Sequence, residues 1–368
     1  MTSIAATGAA VERVTARAFT VPTDAPERDG TAAWDSTTLV LAEVEAEGVV
    51  GIGYAYGEAV AAELIRSKLA DVVSGLDATA VPAAWWAMRR EVRNAGLPGV
   101  CATAISAVDI ALWDLKGRLL GRSLAQLLGM ARERVPVYGS GGFTSYSDER
   151  LQEQFAAWAR EGVTACKMKV GTEPGRDPER VAAARAVLGG GVELYVDANG
   201  AYERKQAIEL AEVFRQQEVT WFEEPVSSDD LEGLRLLRDR APAGMRIAAG
   251  EYGYDSWYFR RMLQAGAVDV LQADATRCLG VSGFLQAIAL ADAFGVPISA
   301  HTAPSLHMHV CCTAGHIAPL EWFHDHVRIE GELFNGAPRI EEGTIGPDLE
   351  RPGLGLELNA ERAERYAA

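Results

Sequence analysis

From Val135 onward the chain repeats one unit: a short apolar run followed by a polar stretch with helical spacing. The runs read V-P-V-Y, V-T-A-C-K-M-K-V, V-E-L-Y-V-D-A-N, V-T-W-F-E-E-P, M-R-I-A-A-G-E, V-D-V-L-Q-A-D, V-P-I-S-A-H and A-P-L-E-W. A period of roughly 20 to 30 residues repeated through eight units predicts parallel strands linked by helices and closed into a βα barrel, which typically uses about 250 residues.

The segment ahead of this repeat has a different period. V-E-R-V-T-A-R-A-F-T, T-T-L-V-L-A-E-V-E and V-V-G-I-G-Y-A-Y predict an antiparallel meander over residues 11–56, with a turn at Glu47-Gly48 and a polar loop from Pro22 to Asp35. G-I-G-Y-A-Y-G lacks the spacing of a dinucleotide fingerprint and reads as strand and turn glycine. Helical patterns follow at 58–74, 78–95 and 100–120. In the last of these Ile105, Val108, Leu112, Leu115 and Leu119 share a face, and Asp114 and Arg118 form an i,i+4 pair on another. The expected organisation is an α+β domain over 1–133, a barrel over 134–327 and a tail over 328–368 that packs back on the first domain.

A hydrophobic content of 48% suffices for a large core, while a formal net charge of −16 argues against nucleic acid or anionic membrane as partner. No basic segment precedes an apolar run, and Asp109 interrupts the apolar stretch around Ala104 to Trp113. Cys101, Cys166, Cys278, Cys311 and Cys312 have no C-x-x-C spacing, so buried reduced thiols in a cytoplasmic protein are expected, with no disulfide framework or zinc site.

In a barrel the chemistry sits at the C-terminal ends of the strands. There the sequence places Lys167 and Lys169, Asp197 with Asn199, Glu223 beside Glu224, Glu251, Asp274, His301 and Glu321. A single Asp at such a position is more often a helix cap than a ligand, but seven successive ionisable strand ends exceed that explanation. Asp197, Glu223 and Glu251, from three neighbouring strands, are expected to converge as hard oxygen donors for Mg²⁺.

Only five lysines occur in the chain, and two of them are Lys167 and Lys169. The strand period puts both on one face, toward the barrel mouth, with Cys166 and Met168 toward the helices. Two ammoniums so close are expected to depress one pKa and leave a basic amine, although neutralising the acidic cluster is the plainer alternative. Asp274 and His301 end neighbouring strands, so the carboxylate is expected to orient the imidazole. His307 and His309 read as packing or surface. His324 and His326 are candidates to line the mouth.

This constellation resembles the enolase superfamily, and within it the mandelate racemase subgroup. K-M-K at 167, V-D-A-N at 196, W-F-E-E-P at 221, G-E at 250, D-A at 274, S-A-H at 299 and L-E-W at 320 carry the likeness, as does S-A-V-D-I-A-L-W-D-L-K-G at 106. The resemblance implies a modified TIM barrel, (β/α)7β, with an N-terminal α+β capping domain. It selects Glu223 over Glu224 as the metal ligand, and implies that two capping loops, near Pro22 to Asp35 and Ala55 to Ala61, set specificity.

The implied chemistry is Mg²⁺-assisted abstraction of the proton α to a carboxylate, giving an ene-diolate. On that resemblance Lys169 and His301 with Asp274 serve opposite faces, Lys167 holds the substrate carboxylate, Asn199 contacts a substrate oxygen and Glu321 donates to the carboxylate. Dehydration of a sugar acid, an aldonate or aldarate, is the expected reaction of a small-molecule carboxylate. A racemase, epimerase or cycloisomerase is the alternative, and a non-catalytic metal and carboxylate binder is the alternative of another class. A homo-oligomer is expected.

Overall fold

A computed structural model describes residues 8–368. Strands β1 (Arg13–Arg28), β2 (Ala33–Ala46) and β3 (Val49–Tyr56) form an antiparallel sheet in that order. The turn between β2 and β3 is the one the sequence predicts. Glu47 and Gly48 have φ of 52° and 72°, the paired left-handed conformation that suits a two-residue hairpin.

The stretch from Pro22 to Asp35 is not the expected polar loop. Residues 23–26 leave the ladder at an irregularity, after which Glu27 pairs with Trp34 and Arg28 with Ala33, so the hairpin continues past the sheet. Asp29 closes its end by accepting hydrogen bonds from the Thr31 and Ala32 amides, a side-chain turn that composition alone does not distinguish from a loop. The tip then reaches the barrel rim. A Cβ on Gly30 would lie 2.3 Å from Ala198 O and 2.7 Å from Val170 O, so glycine is what permits this approach.

The helix Val100–Leu119 packs on β2 and β3 and is buried along most of its length. Its i,i+4 pair forms, with Arg118 Nε 2.6 Å from Asp114 Oδ2. Asp114 is wholly buried, however, and also accepts from the Ile52 and Leu354 amides, tying sheet, helix and C-terminal tail together.

Eight parallel strands follow: β4 (Val135–Gly141), β5 (Ala165–Lys169), β6 (Glu193–Asp197), β7 (Val219–Glu223), β8 (Arg246–Ala249), β9 (Val270–Ala273), β10 (Ile298–Ala300) and β11 (Leu320–Phe323). They pair in sequence from β4 to β10, with β11 on the other side of β4. Between β10 and β11 the ring closes through the segment before β11, where the Ala318 amide donates to Ile298 O and Ser299 Oγ donates to Pro319 O. Each strand except the last leads into a helix that returns to the next strand, giving the (β/α)7β order.

Inside the barrel, Tyr138, Tyr195 and Trp221 form an aromatic floor, with Tyr195 and Trp221 stacked at 5.0 Å. The two-residue period of a strand then places Asp197 above Tyr195 and Glu223 above Trp221, while Cys166 and Met168 join the outer core. All five cysteines are buried free thiols. Among the described residues no helix is long and apolar enough to cross a membrane.

Candidate active site

Above the floor, Asp197, Glu223 and Glu251 bring oxygens within 4.8 Å of one another, and all three are buried. Asp197 and Glu223 end their strands directly. Glu251 follows Gly250, whose φ of 136° turns the chain inward, and a Cβ there would lie 2.1 Å from Gln272 O. Glu251 Oε2 accepts no hydrogen bond. Three converging buried carboxylates fit a hard divalent cation.

The two lysines are arranged differently from expectation. Lys167 is fully buried between floor and carboxylates, with Nζ 2.5 Å from Glu223 Oε1, 2.8 Å from Glu321 Oε1 and 3.4 Å from Asp197 Oδ2. Its three donors point at protein carboxylates, and the substrate cavity is lined by Lys169 alone of the two. Lys169 Nζ lies 2.6 Å from Asp197 Oδ2. Burial lowers the pKa of each ammonium, but neighbouring carboxylates more than offset it: Glu223 first for Lys167, Asp197 first for Lys169. Both pKa values are therefore raised. The expected depression by a like charge is present for Lys169, but in the absence of a cation it is outweighed by Asp197.

Glu321 also departs from its expected role as a donor. Ser140 Oγ at 2.6 Å and Lys167 hold Oε1, and the Thr302 amide donates to Oε2 at 3.0 Å. Burial raises its pKa, but Lys167, His301 and Lys169 outweigh that and bring it down to about 2. An ionised carboxylate accepts hydrogen bonds and has none to give.

The histidine arrangement matches the sequence reading. His301 Nδ1 lies 2.8 Å from Asp274 Oδ2, and Nε2 lies 3.2 Å from Glu251 Oε2. Asp274 is buried, which raises its pKa, yet the contact with His301 drives it below the usual carboxylate range. Behind it, His307 Nε2 accepts from the Ala275 amide while Nδ1 donates to Thr302 O, the pattern of a neutral ring. His307 and His309 are both packed inside.

Lys169, Asn199, Glu251 and His301 open on one cavity of about 430 Å³. Asn199 sits at φ 47°, its amide donating to Asp197 Oδ1, and its own Oδ1 is buried without a partner. His326 lines the same cavity, stacked on Tyr56 with ring centroids 3.4 Å apart; His324 does not line it.

Sequence reasoning missed part of the cavity's outer wall. Trp34 and Tyr56 come from the capping sheet, and Tyr252 and Arg277 from segments after β8 and β9. Arg277 lies 3.3 Å from Glu251 Oε1 and stacks on Tyr252. Its position three residues after Asp274 was a usable signal. The cap residues end no barrel strand, but Trp34 and Tyr56 fall within the two capping segments, 22–35 and 55–61, that the resemblance implied.

Comparison with known proteins agrees with this architecture. Residues 13–129 match the mandelate racemase / muconate lactonizing enzyme N-terminal domain, and residues 150–363 match the enolase C-terminal domain-like family. D-galactarolactone cycloisomerase of Agrobacterium fabrum is 30% identical over 93% of this chain and 95% of its own. L-talarate/galactarate dehydratase of Salmonella typhimurium is 31% identical over 89% of this chain and 82% of its own. Among solved structures, a mandelate racemase/muconate lactonizing enzyme-like protein from Rubrobacter xylanophilus superposes with a TM-score of 0.96 at 53% identity, covering 98% of this chain and 100% of that one. A racemase from Streptomyces coelicolor with bound magnesium gives 0.91 at 30% identity, over 97% and 100%. The chain belongs to the mandelate racemase / muconate lactonizing enzyme family, in the mandelate racemase subgroup of the enolase superfamily.

Proposed function

We propose that the protein is a Mg²⁺-dependent acid-sugar dehydratase that converts an aldonate or aldarate to its 2-keto-3-deoxy acid. The observation that carries this reading is the placement of Lys169 and His301. They end β5 and lead out of β10, so they flank the arc of carboxylates on β6, β7 and β8, one touching Asp197 and the other Glu251. A substrate held over that arc meets a proton-transfer group on each side.

Asp197, Glu223 and Glu251 would hold the ion, which supplies positive charge to the substrate carboxylate as the α-carbon becomes a carbanion. The group facing the α-hydrogen takes it, and the C–H electron pair becomes part of the ene-diolate. The pair then expels the β-hydroxyl, which leaves as water with a proton from the group across the cavity, and the resulting enol becomes the ketone. Asp274 fixes the ring of His301 so that Nε2 is the exchanging nitrogen. Lys167 balances charge beneath the carboxylates, Glu321 positions Lys167 and the Thr302 amide, and Asn199 offers its bare Oδ1 to a substrate hydroxyl.

The cycloisomerase and the dehydratase named above act, by their names, on acid sugars or their lactones, which supports the substrate class. A cycloisomerase is the second reading, since proton transfer on two faces also serves ring opening. A panel of aldonic and aldaric acids and their lactones, assayed with Mg²⁺, separates them. Accumulation of a semicarbazide-reactive 2-keto acid supports dehydration; turnover of lactones alone, or none of any acid with no α-hydrogen exchange, defeats it.

A further inference from the structure

A second set of metal-ligating side chains lies outside the active site, where the capping hairpin meets the barrel. Asp24 and Glu27 belong to β1, beside the irregularity that follows Pro22, and His324 is the first residue after β11. One ligand-capable atom from each falls within 4.8 Å of the others. His324 Nε2 is 3.1 Å from Asp24 Oδ2, close to the edge of about 3.3 Å in a tetrahedron with ~2.0 Å metal–ligand bonds.

Two of the carboxylate oxygens are already held. Asp24 Oδ1 accepts from Arg150 at 3.2 Å, and Glu27 Oε2 accepts from Trp34 Nε1 at 2.8 Å. Glu27 is only 1% exposed, and its Oε1 accepts no hydrogen bond. Buried polar atoms are nearly always paired, so this bare oxygen marks a missing partner. Arg328 does not supply it: Nη2 donates to Asp325 Oδ1 and Pro22 O, and Nε has no partner of its own. Burial, followed by the neighbouring Asp325, pushes the Glu27 carboxyl up to about 8.

We propose that Asp24, Glu27 and His324 form a second divalent-cation site that clamps the capping hairpin to the last barrel strand. One imidazole nitrogen with two carboxylate oxygens suits Zn²⁺ or Mn²⁺ better than Mg²⁺, which prefers oxygen alone. The clamp reaches the active site from both ends. Trp34, bonded to Glu27, and Phe323, next to His324, both line the substrate cavity.

The test uses the full chain with Glu223→Gln and Glu251→Gln, which removes two of the three active-site carboxylates, and titrates it with Zn²⁺ by calorimetry and elemental analysis. One ion per chain is expected to remain. Adding His324→Gln or Asp24→Asn, both at positions exposed enough to preserve folding, should weaken it by about tenfold or more. Circular dichroism on each variant confirms the fold. No stoichiometric ion in the doubly substituted protein overturns the proposal, as does an ion whose affinity ignores both His324→Gln and Asp24→Asn.

Discussion

Lys169 Nζ stands 2.6 Å from Asp197 Oδ2, so the proposed proton-transfer group and a proposed metal-ligand carboxylate share one ion pair. The contact sets the lysine's proton affinity. Burial and Lys167 lower its pKa, but the Asp197 carboxylate outweighs both, and the ammonium is held charged. A cation that draws on the same oxygen releases the lysine toward the basic form.

The first prediction follows from that competition. Without divalent ions, the Nζ resonance of Lys169 should titrate above the ordinary lysine value of about 10.4, and Asp197→Asn or added Mg²⁺ should lower it. With five lysines in the chain, labelled-lysine NMR resolves the question. A metal-free Lys169 titrating at or below the ordinary value would contradict the assignment.

The two proton-transfer groups should separate in exchange experiments. Lys169→Ala and His301→Asn are each expected to lose about 10²- to 10⁴-fold in turnover, the usual contribution of a positioned acid or base. The variant lacking only the leaving-group acid should still incorporate deuterium at the α-carbon, because proton removal survives. The variant lacking the base should not. Asp274→Asn should behave as a weakened His301 variant, since it acts by orienting that ring. Near-normal turnover in both Lys169→Ala and His301→Asn sinks the assignment; equal exchange in the two undoes only the division of labour.

The barrel was legible because its strands end in charged residues at a regular interval, and the pleat of K-M-K fixes which side chains face inward. Asp274 and His301 could be paired because neighbouring parallel strands put successive ends side by side. The proton affinities of the lysines were not legible, since they depend on which carboxylate each Nζ reaches in three dimensions. Nor was the hairpin over 22–35, whose polar composition is that of a loop and whose pairing rests on a side-chain turn at Asp29 and a close approach at Gly30. Tyr56 and Trp34 enter the cavity from the two capping segments that the family resemblance implied, a contact that no local pattern encodes.

Charge in the cavity predicts a preference among substrates. The cations facing it, Lys169 and Arg277, are both ion-paired, with Asp197 and Glu251. Burial holds His326 neutral, and the capping side adds Asp29 and Glu58 with the hydroxyls of Ser36, Thr37 and Thr38. The second carboxylate of an aldarate would be buried there without a free cation, which is costly. Aldonates should therefore exceed aldarates of the same configuration by about tenfold or more in kcat/KM, ~1.4 kcal/mol. A consistent preference for the diacids would refute this reading of the wall.

Glu330 provides the last test, of how the cap is joined to the barrel. It is buried, accepts from Tyr54 OH at 2.7 Å, and accepts from the Ser305 amide and hydroxyl at 3.0 and 2.5 Å, linking β3 to the segment after β10. Burial outweighs these hydrogen bonds and raises the carboxyl to about 7. A pKa raised on folding means that the folded state binds the proton more tightly, so the associated stability is full below the unfolded value of about 4.3 and is lost as the pH rises through 7. The difference in unfolding free energy between the native protein and Glu330→Gln, which cannot titrate, should thus shift by up to ~3 kcal/mol across that interval, with the native protein losing ground toward neutral pH. Denaturant titrations at pH 5, 6, 7 and 8 measure it. A difference that is flat over this range, or that grows in favour of the native protein as the pH rises, would show that Glu330 is ionised in the folded chain throughout.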